Sequence, residues 1–145
     1  MSATKQEKFK ATYMRGGTSK GLFFCLENLP SCAQTAGEGR DRFLKRVIGS
    51  PDPYAKQIDG MGGATSSTSK VVIISKSRRR DHDVDYLFGQ VSIDRDFIDW
   101  SGNCGNLSSA VGAFAIRNGY VSPEQLSKDG YSRVRIWQAN IKKTI

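Results

Sequence analysis

The sequence predicts an α+β fold in which a β-barrel-like sheet wraps around a central buried helix at about residues 105–118. Two observations carry this. In "CGNLSSAVGAFAIR", Leu107, Ala110, Val111, Ala113, Phe114, Ala115 and Ile116 surround most of a helical circumference. Only Asn106, Ser108 and Ser109 interrupt them, so the helix reads as buried nearly all round rather than along one stripe. Around it the chain supplies at least four strand-like runs rich in β-branched and aromatic residues.

Taken in order, "KATYMRGGTSKGLFFCLENLP" reads as a strand, a Gly-Gly turn and a second strand ended by Asn28-Leu29-Pro30. In "GRDRFLKRVIGSPDPY", Phe43, Leu44, Val47 and Ile48 recur at helical spacing, and Gly49 followed by Pro51 stops the helix. The stretch "PDPYAKQIDGMGGATSSTSK" is long and rich in Gly, Ser and Thr, which marks it as a functional loop more than an idle connector. "KVVIISKS" and "VDYLFGQVSID" are two strands flanking the basic turn Arg78-Arg79-Arg80. The central helix runs from Cys104 or Gly105 to Arg117 and stops at Asn118-Gly119. "SRVRIWQAN" alternates as a strand and leads into "IKKTI" without a closing turn or polar cap, so the chain is expected to stop in the middle of a β-hairpin.

Composition removes whole classes of function. With 145 residues, 38% hydrophobic and 25% charged, the chain has the make-up of one globular domain with its own core. No apolar run approaches the roughly 18 residues of a membrane span, and "MSATKQEKFKATYMRGG" has no apolar leader core, so the cytoplasm is the expected compartment. Cys25, Cys32 and Cys104 cannot all pair within the chain and have no metal-ligand spacing. The single histidine, His82, lies among Asp81, Asp83 and Asp85, but strand alternation splits these between faces, so no metal is expected. A net charge of +8 favours an anionic partner. Neither an aromatic RNA-binding motif nor zinc-finger spacing is present, so nucleic acid is not expected and a small multivalent carboxylate stays open.

Three segments carry candidate chemistry. Cys104 stands at the start of the central helix, where unpaired amides and the helix dipole favour both a thiolate and a bound carboxylate. Gly102 and Gly105 permit close backbone approach, and Asn103 and Asn106 can bond turn amides or a ligand. The competing reading of Cys104 is a small buried hydrophobe. Lys70 closes "GMGGATSSTSK" where an apolar strand begins; a desolvated lysine there can act as a base, although a snorkelling lysine fits the same pattern. The hydroxyls from Thr65 to Ser69 can hold carboxylate oxygens. "RGGTSKG", Arg15–Gly21, reads equally as an anion-binding nest and as a solvated hairpin turn.

Together, "MRGGTSKG", "IDGMGGATSSTSK", "HDVDYLFGQVSID" and "DWSGNCGNLSSAVGAFAI" resemble the N-terminal part of the 2-methylaconitate cis-trans isomerase (PrpF) family, within the diaminopimelate epimerase-like superfamily. The resemblance implies a two-domain isomerase, with residues 1–145 as all or part of its N-terminal domain, and the active site in the cleft between the domains. It implies cofactor-independent proton transfer next to a carboxylate, with Lys70 and Cys104 at the positions of the family's catalytic pair. Gly16, Gly17, Thr18, Ser19, Ser67, Thr68, Asn103, Gly105 and Asn106 match positions expected to hold substrate carboxylates. The implied substrate is a small tricarboxylate, 2-methylaconitate or aconitate, in propionate catabolism through the methylcitrate cycle, with a methylcitrate dehydratase as a functional partner. Related oxalomesaconate or methylitaconate isomerases and a noncatalytic accessory domain are the alternatives, and a homo-oligomer stays open. Without the second domain, little activity is expected.

Overall fold

The computed structural model describes residues 5–145. Its elements are β1 (Thr12–Gly16), β2 (Ser19–Cys25), α1 (Glu38–Ile48), β3 (Lys70–Lys76), β4 (Val84–Val91), β5 (Ile98–Asp99), α2 (Gly105–Arg117), β6 (Ile136–Gln138) and β7 (Lys143–Thr144). The fold is mixed α+β, built on one seven-stranded sheet in the order β1-β2-β3-β4-β6-β7, with β5 paired to the end of β4. β1 and β2 form the hairpin expected from the Gly-Gly turn, with Gly16 opposite Ser19. β3 returns parallel to β2 through a crossover that carries α1, and β6 lies parallel to the first half of β4 through one that carries α2.

Strand alternation divides the core in two. Phe23, Cys25, Val72, Ile74, Val84, Tyr86 and Phe88 point to one face, where Leu107, Ala110, Val111, Phe114 and Ala115 of α2 cover them. Leu22, Phe24, Val71, Ile73, Val91 and Ile98 point to the other, against Leu44 and Ile48 of α1. The apolar spacing that announced α1 is the stripe it buries, and Gly49 ends it in the left-handed conformation, φ 90°.

Two expectations need correction. α2 is buried along one stripe only: Asn106, Ser109 and Ala113 are exposed, and Ser108, Gly112 and Ile116 are half-buried. Alanine, serine and glycine carry too little side chain to demand burial, so their number overstates how much of the circumference must be covered. The strand read in "SRVRIWQAN" shortens to Ile136–Gln138, because residues 131–135 run outside the sheet and a turn at 139–142 leads into β7.

Among the described residues, no helix is long and apolar enough to cross a membrane. The basic turn is exposed as expected, with the Arg79 guanidinium 4.1 Å above the Trp137 ring. His82 is buried and bonded to Asp81 and Thr144 at 2.8 Å each. Beside it, buried Asp83 accepts from the Arg135 amide at 2.7 Å and guanidinium at 2.9 Å, which holds the segment before β6 against β4. The Arg135 hydrogen bond keeps the Asp83 carboxyl below the usual range. A carboxylate lowered in the folded state stabilises above its unfolded value, about 3.9, and that contribution is lost as pH falls through the folded value. Denaturant midpoints of the parent and Asp83→Asn are therefore expected to differ most near pH 7 and to converge in acid below about pH 4.

Candidate functional site

The site is assembled at one end of the α2-covered face. Ser19, Gly21 and Phe23 share a parity along β2, as do Lys70, Val72 and Ile74 along β3, and Tyr86, Phe88 and Gln90 along β4. Lys70 is the first residue of its strand and Gln90 is its direct cross-strand partner. The N-terminus of α2 lies over the same end: Cys104 Sγ is 3.7 Å from Ser19 Oγ, to which the thiol donates. Lys70 and Cys104, distant in sequence, thus both lie at one end of the α2-covered face.

Cys104 is the N-cap of α2, and its sulfur accepts from the Leu107 amide at 3.5 Å. Its carbonyl accepts from Ser108 Oγ at 2.9 Å and from the Tyr86 hydroxyl at 3.3 Å. Burial pushes the Tyr86 phenol up, so it stays protonated and serves as a donor. These bonds fix where the helix begins. Among the described residues, no group accepts from the Gly105 and Asn106 amides. A Cβ added at Gly102 or Gly105 would meet no atom within 4 Å. Open space over unpaired amides at a helix N-terminus suits an anion.

The hairpin turn seals one side of this space. Gly16 lies against the Asn106 carbonyl, where an added Cβ would also come within 2.9 Å of Leu107 Cα. Gly17, at φ +51°, lies against the Asn106 side chain, and the Thr18 amide donates to Asn106 Oδ1 at 3.4 Å. The Gly-Gly pair therefore serves close approach to α2 as well as the turn. Ser19 is buried, with its hydroxyl toward the thiol.

The long loop forms the other side. The Ser67 carbonyl accepts from the Lys20 amide at 2.9 Å, and Thr68 Oγ1 is engaged with Thr65 inside its own turn. Lys70 is buried; its ammonium donates to Gln90 Oε1 at 2.8 Å and lies 5.1 Å from the centroid of the Phe88 ring. Of the sequence candidates, Gly16, Gly17, Thr18, Ser19, Asn106, Gly105 and Cys104 gather at the start of α2. Asn103 touches Ser108 at 3.3 Å, and Ser67 and Thr68 flank Lys70 through the loop.

The sequence reading missed Gln90, Phe88, Tyr86 and buried Gln57. The Gln57 amide bonds Ser50 at 2.9 Å, Ser69 at 2.8 Å and the Ala64 amide at 2.8 Å, which makes residues 50–69 an ordered body. A polar residue near the end of a mostly apolar strand, Gln90, was the available signal. Cys25 is buried against α2 and Cys32 is exposed.

Residues 6–145 match the family model described as PrpF protein. The chain belongs to the PrpF family. It is 69% identical over 140 residues to a 2-methyl-aconitate isomerase of Shewanella oneidensis, covering 97% of this chain and 35% of that protein. It is 68% identical over 145 residues to one from Cupriavidus necator, covering 100% of this chain and 37% of the relative. The crystal structure of a methylitaconate-delta-isomerase matches with a TM-score of 0.81 at 41% identity, over 94% of this chain and 33% of that one. This PrpF chain thus spans about a third of the length of the curated relatives it matches.

Proposed function

We propose that this PrpF chain is the N-terminal domain of a two-domain, cofactor-independent isomerase that interconverts geometric isomers of 2-methylaconitate or aconitate. The observation that supports this is that Lys70 and Cys104 both lie at one end of the α2-covered sheet face, Cys104 over Ser19 of β2 and Lys70 at the start of β3. One of the pair removes an allylic proton from the tricarboxylate. The electrons delocalise onto a carboxylate held by the amides of Gly105 and Asn106, Asn103 and the turn Gly16–Ser19, with Ser67 and Thr68 at the opposite rim. The bond that has lost double-bond character rotates, and the proton returns to the same carbon to give the other isomer.

Identity of 68–69% to 2-methyl-aconitate isomerases, against 41% to the methylitaconate isomerase, favours the aconitate-type substrate over its relatives. A net charge of +8 suits a substrate carrying about three negative charges. The reading includes a diaminopimelate epimerase-like architecture in which the second domain supplies the far wall of the cleft. It also includes a cytoplasmic enzyme of propionate breakdown through the methylcitrate cycle, linked functionally to a methylcitrate dehydratase.

The test is turnover by the full-length protein in deuterated water. Conversion between the isomers of 2-methylaconitate, with deuterium entering the allylic position, is expected. Tight tricarboxylate binding with neither conversion nor exchange would make this a binding domain instead.

A further inference from the structure

The Lys70 ammonium has a dedicated partner that the proposed chemistry does not yet use. Gln90 faces Lys70 across the β3–β4 ladder, and its Oε1 accepts from Lys70 Nζ at 2.8 Å. Its Nε2 donates to the Ser66 carbonyl at 3.0 Å and the Ser69 carbonyl at 2.9 Å. Both amide hydrogens are therefore committed to carbonyls, which can only accept. The amide cannot turn over without setting its oxygen against two other oxygens, so the hydrogen-bond pattern fixes which end faces the lysine.

The loop that anchors Gln90 is itself held. Ser69 Oγ donates to the Val91 carbonyl at 2.7 Å and accepts from Gln57 at 2.8 Å, and the Ser67 carbonyl accepts from the Lys20 amide. The Phe88 ring, two residues before Gln90 on the same face, closes off another side of Nζ. A lysine otherwise swings through many rotamers, and its nitrogen spins freely about the last carbon–nitrogen bond. Spending one N–H on a fixed acceptor selects one rotamer and directs the remaining hydrogens, or the lone pair of the neutral amine, elsewhere.

We propose that Gln90 is the positioning residue for Lys70, fixing the orientation of its nitrogen at the reacting carbon of the carboxylate substrate. This rests on the reading of Lys70 as a proton carrier. Gln90 touches the lysine and not the substrate, so its effect falls on the proton-transfer step more than on binding.

The experiment uses full-length protein carrying Gln90→Met, Gln90→Glu or Lys70→Ala, each checked for folding by its thermal unfolding transition and assayed on 2-methylaconitate. Gln90→Met, which keeps the length and removes the acceptor, is expected to lower kcat about 10- to 100-fold with KM within about twofold. In Gln90→Glu, which keeps an acceptor for Nζ, kcat is expected to recover above that of Gln90→Met. A residue that merely braced the loop would lose kcat in step with its unfolding temperature, and an acceptor at position 90 would not restore it. If Gln90→Glu fails to fold, the kcat-against-KM split of Gln90→Met decides alone. A parent kcat in Gln90→Met, or a loss that falls on KM instead, with Lys70→Ala inactive, overturns the role of Gln90 and leaves the proposed function standing. Full turnover by Lys70→Ala overturns the reading of the lysine, and the proposal for Gln90 with it.

Discussion

Lys70→Ala in the full-length protein is expected to reduce turnover of 2-methylaconitate about 10²- to 10⁴-fold, the range for loss of a positioned acid or base. The residue is 8% exposed and leads into the buried apolar run Val71–Ile74, a costly place for an amine with no task. Its nitrogen points along the α2-covered face toward Gln90 and Phe88 rather than snorkelling to solvent. Truncation removes the nitrogen and one hydrogen bond to a half-buried amide, so the loss in stability is expected to be near 1 kcal/mol. The α2 amides proposed to hold the carboxylate are untouched, and KM is expected to change far less than kcat. Steady-state kinetics beside a denaturant titration check both halves. A folded variant turning over at the parent rate removes Lys70 from the mechanism. The companion Cys104→Ala asks the same of the thiol, which now has two defined partners, the Leu107 amide and Ser19.

What could be read in advance was local. The Gly16-Gly17 turn, the stripe and glycine stop of α1, and the start of α2 at Cys104 all rest on residues within one or two turns of each other, and each lies where the pattern put it. What could not be read is register. Gln90 is a neighbour of Lys70 only because β3 and β4 pair so that residue 70 faces residue 90, and nothing within either strand fixes that alignment. The burial of α2 was overstated for a different reason. Ala113 on its exposed side and half-buried Gly112 fit an apolar pattern without requiring cover. Composition and length mark the loop 50–69 as functional but give it no shape; one buried amide at Gln57 and the Asp52 carboxylate, which accepts from the amides of Tyr54, Lys56 and Gln57, fix that shape. Single polar residues organise that loop, and composition cannot rank them.

Gly16→Ala and Gly105→Ala are expected to damage the protein in opposite ways, and the contrast tests how the site is built. Gly16 is buried where the hairpin turn meets α2; a methyl there would land on the Asn106 carbonyl and within 2.9 Å of Leu107 Cα. Both atoms are helix backbone and cannot swing aside, so the hairpin must lift from the helix. Overpacking of this kind costs about 1–3 kcal/mol. The lift also separates Thr18 from Asn106 and Ser19 from the thiol, and a displacement near 1 Å is enough to cost about 100-fold in turnover. At Gly105 a methyl meets nothing within 4 Å, and the residue is the first of α2. Alanine there relieves the entropic cost of glycine, so stability is expected to hold or to rise by up to about 1 kcal/mol. The same methyl occupies the open space over the amides, where the substrate carboxylate is proposed to lie, so KM is expected to rise. Denaturant midpoints and substrate saturation curves for the two variants separate these effects. If Gly16→Ala is as stable and active as the parent, the turn does not press on the helix. If Gly105→Ala leaves KM unchanged, the carboxylate lies somewhere other than over the start of α2.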